Sequence, residues 1–153
     1  MYVRDLLAGK SSAITIEPGR DIATAVQLLM RHHIGGLPVV TRAGSLVGFL
    51  AERDVVRIVD AAIDLIRSMT VEQVMRRPAP VCAVDDSLHE VMARMTRERM
   101  RHFVVLDEDH IAGVISVGDL VKHRLEQLET EAGVLRDYVA AQRARTERPA
   151  RRR

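Results

Sequence analysis

Tryptophan is absent, and the two tyrosines and two phenylalanines bring the aromatic share of the 153 residues to only 3%. A core made from this chain is therefore aliphatic, drawn from Val, Ile, Leu and Met. Cysteine occurs once, as Cys82, which excludes an intrachain disulfide and any cysteine-based zinc cluster within one chain. A reducing cytoplasm is the compartment this points to. No run of about 18 apolar residues occurs, and the start, Met1-Tyr-Val-Arg-Asp, lacks the basic-then-apolar order of a signal peptide, so neither a membrane span nor a leader is expected. Missing too are HExxH, a P-loop, GxGxxG and a nucleophile elbow. The expectation is a protein that is not an enzyme and requires no metal.

What is present is the composition of a globular domain, 47% hydrophobic and 29% charged. At this length folding buries roughly 70% of the unfolded surface, so a real core is available. The formal charge of +2 is unevenly placed. Beyond Ala141 there are six arginines against Glu147, a tail of +5, which leaves −3 on the rest. A nucleic-acid-binding function would thus rest on the tail rather than on the fold.

An internal repeat organises the chain. Ile34-Gly-Gly-Leu-Pro-Val-Val40 matches Met100-Arg-His-Phe-Val-Val-Leu106 at an offset of 66, and Gly48-Phe-Leu-Ala-Glu-Arg-Asp54 matches Gly113-Val-Ile-Ser-Val-Gly-Asp119 at 65. Each copy begins with a short apolar strand, Ile14 to Ile16 or Val81 to Val84, and continues into an amphipathic helix. Asp21 is the expected cap of the first helix, and Ser87 with Glu90 a capping box for the second. Two apolar runs then read as a hairpin, Leu37 to Val40 with Leu46 to Leu50, and Phe103 to Leu106 with Ile111 to Ser116. Asp54 and Asp119 follow at the start of a second helix. The fold class is therefore α/β, two β-α-β-β-α repeats, neither with enough core to stand comfortably alone.

These motifs resemble the cystathionine β-synthase (CBS) domain pair, also called a Bateman module. Gly113-Val-Ile-Ser-Val-Gly-Asp119 is similar to the family pattern of glycine, two apolar residues, Ser or Thr, two variable residues and Asp. The Gly-Gly-Leu-Pro-Val segment and Glu52-Arg53-Asp54 are also typical. The resemblance covers residues 1 to 124, assigned as repeats 1–66 and 67–124. It implies a pseudo-twofold pair with two clefts that hold AMP, ADP, ATP, NAD or a related adenosyl compound, and a regulatory, signal-transducing role. Carried over by position, one cleft would use Ser116 and Asp119 for the ribose, Ala13, Ile14, Ile34 and Gly35 around the base, and Arg101 and His102 toward phosphate. The other would use Asp54 for the ribose, Arg53 for phosphate, and Pro80 and Met100 against the base. Ala51 stands where Ser or Thr is usual, so unequal clefts are expected, the Asp119 cleft the tighter.

The chemistry suits these roles. A carboxylate accepts two hydrogen bonds from a ribose diol, and in the first turn of a helix it is favoured by the macrodipole. A guanidinium donates bidentately to phosphate and stays charged, whereas His102 adds charge only when protonated. Each residue also has a plainer reading. Asp54, Asp119 and Ser116 are residue types that cap helices, Arg101 would serve as a surface ion-pair partner, and His32-His33 suits a solvated helix C-terminus rather than a metal.

From Val121 the spacing predicts one long helix with Leu125, Leu128, Ala132, Leu135 and Val139 on a heptad stripe. A stripe running beyond the second repeat, over 125–142, lacks a partner in its own unit, so a homodimer is expected. Residues 143–153 read as a disordered basic tail. Two other functions are left open: nucleic-acid binding through that tail, and a purely structural dimerisation module.

Overall fold

The computed structural model describes residues 1–62 and 64–146. They form α1 (Val3–Leu7), α2 (Ile22–His32), β1 (Gly36–Val40), β2 (Leu46–Ala51), α3 (Glu52–Ala62), a 3₁₀ turn (Ile66–Ser68), α4 (Val71–Val74), β3 (Val81–Ala83), α5 (Leu88–Arg97), β4 (His102–Asp107), β5 (His110–Ser116) and α6 (Val117–Thr146). The architecture is mixed α/β. By compactness the chain divides into a body, Met1–Val117, and an extension from Gly118 onward.

In the body, β1 and β2 make one antiparallel hairpin, and β3 runs parallel to β4, which pairs antiparallel with β5. Both hairpins carry a bulge at the same place in the repeat, between Val39 and Val40 and between Val105 and Leu106. The strand expected at Ile14 to Ile16 shrinks to a single parallel bridge, Ile16 to Val39. Ile16 still donates to the Pro38 carbonyl at 3.0 Å and accepts from Val40 at 2.9 Å, so the repeat keeps its topology.

Helix α2 is capped as expected, with Asp21 Oδ1 accepting from the Thr24 N–H at 2.7 Å. The capping box expected at Ser87 does not form: Ser87 occupies the N-cap position without a side-chain bond. Ser87 bridges Tyr2, and the Leu88 N–H donates to the Met1 carbonyl at 3.3 Å. The first repeat has the same arrangement, with Asp21 bridging Thr70 and the Ile22 N–H donating to Met69. Both helices thus start against a leading segment that belongs, by sequence, to the other repeat.

That exchange fixes the core. Val3 and Val71, each the first residue of a leading helix, are fully buried. Val71 and Met75 join Ile16, Ile22, Leu29, Leu37 and Leu50 in one apolar cluster. Leu7 lies against Gly113, and Met75 against Gly48, the two equivalent glycines of the motif. Arg4 pairs with Asp85, and the Phe49 and Arg76 backbones exchange two hydrogen bonds, at 3.1 and 2.9 Å.

The second helix of the second repeat and the expected C-terminal helix are one element, α6, beginning at Val117 rather than Val121. It reaches Thr146, past the start drawn for the tail; residues 147–153 lie outside those described. No described helix is long and apolar enough to cross a membrane.

Candidate functional site

A concavity in the body is lined by Gly35, Phe49, Ala51, Glu52, Arg53, Arg76, Pro80, Met100, Arg101 and His102, and encloses about 450 Å³ including its open mouth. Its residues come from both repeats. Gly35-Gly36 and Arg101-His102 coincide under the 66-residue offset, and each pair supplies a carbonyl to the start of the helix that follows. The Glu52 N–H donates to Gly35 at 3.1 Å and the Val117 N–H to Arg101 at 3.0 Å. A Cβ at 35 would lie 2.8 Å from His102 Cε1, so a larger residue there would have to displace the imidazole. The imidazole packs over that bare backbone, with its centroid 5.8 Å from that of the Phe49 ring.

Three guanidiniums surround the space. Arg53 Nη1 donates to the Arg99 carbonyl at 2.9 Å and Nη2 to Met100 Sδ at 3.7 Å. Arg76 Nη1 donates to the same sulfur at 3.4 Å. A thioether is a weak acceptor, so neither arginine is neutralised by it. Arg101 is the third, solvent-exposed at the mouth beside half-buried His102. Among the described residues Glu52 is the one carboxylate on the wall, and Asp54 stands behind it, buried, with Oδ1 3.7 Å from Arg76 Nη2. The other oxygen of Asp54 accepts from the Ala51 N–H at 3.0 Å. Asp54 therefore performs the plainer capping role and anchors a cleft arginine at the same time.

The residues singled out from sequence distribute as follows. Gly35, Arg101 and His102, assigned to one cleft, line the same space as Arg53, Pro80 and Met100, assigned to the other. Asp54 lies behind that wall. Ala13 and Ile14 are half-buried just ahead of the Ile16 bridge, Ile34 is half-buried next to Gly35, and Ser116 ends β5 opposite His102 in the hairpin register. Asp119 lies in the first turn of α6. Phe49 and Arg76 are not among the residues expected from sequence. Arg76 follows the leading helix of the second repeat, outside the stretches in which the two copies visibly match.

Other chemistries find little support. Burial, and secondarily the Asp86 charge, push the Cys82 thiol up to about 12, so the buried sulfur is held as the unreactive thiol. Among the described residues no group of three or more His, Cys, Asp or Glu side chains is placed to hold a metal ion. His33 closes α2 in a left-handed conformation, its N–H turned to the Leu29 and Met30 carbonyls.

Comparison with known proteins agrees with this fold. The CBS domain family matches twice, over residues 3–61 and 71–126. A CBS-domain-containing protein from Agrobacterium tumefaciens has the same fold at a TM-score of 0.77 and 32% identity, over 80% of this chain and 92% of that one. A CBS domain protein from Pyrobaculum aerophilum, solved in complex with AMP, is 23% identical at a TM-score of 0.74, over 86% and 99%. The human 5'-AMP-activated protein kinase subunit gamma-3 is 28% identical across 129 residues, 78% of this chain but 26% of that subunit. The chain spans less than half the length of that and similar curated relatives. With two family matches and a solved relative sharing both repeats, the chain belongs to the CBS domain family and carries a tandem pair of its domains.

Proposed function

We propose that this protein is a regulatory module that binds an adenine nucleotide, AMP being the simplest candidate, in the cleft between Arg53, Arg76 and Arg101. The observation that carries the proposal is the union of three guanidiniums with an apolar wall of Pro80, Met100 and Phe49 in one space. Guanidiniums suit a phosphate and the apolar wall suits a purine face. The AMP complex of the Pyrobaculum protein and the name of the gamma-3 subunit support the adenosine assignment. Glu52, the carboxylate on the wall, supplies acceptors for ribose hydroxyls. Occupancy would regulate by favouring one arrangement of the protein over another, to the extent that the two differ in affinity.

Isothermal titration with AMP and with uncharged adenosine tests this. Arg101 is exposed, so Arg101→Ala should fold normally while losing a charge-assisted contact of about 1.5–3 kcal/mol, which weakens AMP on the order of 10- to 150-fold. Adenosine should be nearly unaffected. Equal AMP affinity in the two proteins, or no AMP binding by the wild type, overturns the proposal.

A further inference from the structure

From Val121 to Val139, helix α6 presents an apolar stripe to solvent: Val121, Leu125, Leu128, Leu135 and Val139 are all exposed, Leu135 at 65%. Ala132 completes the spacing of alternating threes and fours. In heptad terms Leu125, Ala132 and Val139 are at a, and Val121, Leu128, Leu135 and Gln142 at d. A helix whose apolar seam faces water gains most by pairing that seam.

The flanking charges say with what, and in which direction. The charged g positions are Arg124 and Glu131, and the e positions over the same stretch hold Lys122, Glu129 and Arg136. In a parallel, in-register pair, each g residue meets the e residue five places further along the partner. Arg124 then faces Glu129 of the second copy, and Glu131 faces its Arg136, with the same two contacts repeated by symmetry. An antiparallel pair that stacks Leu125 on Leu135 of the second copy instead sets Glu129 and Glu131 each against its own copy and Lys122 against Arg136. All those meetings are between like charges. We propose that α6 dimerises this protein as a parallel, in-register two-stranded coiled coil, the occupant of its exposed stripe being the same stripe of a second copy.

Sedimentation equilibrium of the full chain should give twice its 17.1 kDa mass. Leu125→Glu with Leu128→Glu should give the monomer, with circular dichroism and thermal unfolding of the body retained because both side chains are exposed. Arg124→Glu should weaken the dimer, and adding Glu129→Arg should restore it. Leu135→Cys, at a central d position, should cross-link rapidly under mild oxidation, whereas the wild type with its buried Cys82 should not. In the antiparallel pair the two introduced sulfurs would lie about 15 Å apart along the axis and stay reduced. A wild-type monomer, which would assign the stripe to a different protein, overturns the proposal. So does a dimer that survives the double glutamate variant, a charge swap that fails to restore association, or a Leu135→Cys dimer that does not cross-link.

Discussion

Two residues without special backbone freedom sit in the left-handed region at equivalent points of the repeat, His33 at φ 51° and Arg99 at φ 52°, 66 positions apart. Each ends a helix and turns the chain into the strand that borders the cleft. At Arg99 the turn aims a carbonyl that receives Arg53 Nη1 at 2.9 Å, so backbone strain helps to orient a cleft cation. A left-handed non-glycine residue costs about 1–2 kcal/mol, and glycine recovers that at an unfolded-state entropy cost of about 0.5–1 kcal/mol. His33→Gly is therefore expected to raise the unfolding free energy by about 0.5–1 kcal/mol, read from the urea midpoint at constant slope. A lowered midpoint would mean that the exposed imidazole contributes more than the strain removes. These turns were illegible in the sequence because glycine, the usual signal, is absent from both. Asp54 was legible only in part: its place at the start of a helix was clear, but not that one carboxylate accepts from the Ala51 N–H and also faces Arg76.

At the scale of elements, the repeat was visible from its strands, hairpins and glycine-to-aspartate motifs, because those positions face the core or take tight turns in both copies. The leading segments were not. Val3-Arg-Asp-Leu-Leu7 and Val71-Glu-Gln-Val-Met75 share a buried valine and an apolar end, too little identity to stand out, yet they hold the two repeats together by exchange. The matched glycines record this. A Cβ on Gly48 would lie 2.5 Å from Met75 Sδ and 2.9 Å from the Arg76 carbonyl oxygen, whereas one on Gly113 would meet only the tip of Leu7, at 2.8 Å. A backbone oxygen cannot step aside, but a leucine methyl can. Gly48→Ala should thus destabilise by about 1–3 kcal/mol, and, by displacing Arg76, should also weaken AMP binding. Gly113→Ala should stay within roughly 0.5 kcal/mol of the wild type, overpacking being offset by the strand's preference for alanine. Equal losses in urea unfolding would show that the asymmetry of the two contacts is relaxed away.

For the whole molecule the question is whether affinity for an anion comes from net charge or from local placement. The chain carries +2, yet its excess of basic residues lies beyond Ala141, while the cleft has its own guanidiniums at Arg53, Arg76 and Arg101. Exposed charges are screened over about 8 Å at physiological ionic strength, so an arginine that does not itself touch the phosphate adds little to its binding. Polyelectrolyte binding works the other way, scaling with the number of phosphates neutralised and collapsing as salt rises. Truncation after Thr146 removes Arg148, Arg151, Arg152 and Arg153 with Glu147, taking the formal charge from +2 to −1. The truncated chain should bind AMP within about twofold of the full chain at roughly 0.15 M salt, and should lose any retention on single- or double-stranded DNA seen at low salt. A loss of about tenfold in AMP affinity on truncation would be incompatible with recognition by the cleft guanidiniums alone. Such a loss would place the tail, rather than the paired repeats, at the centre of recognition.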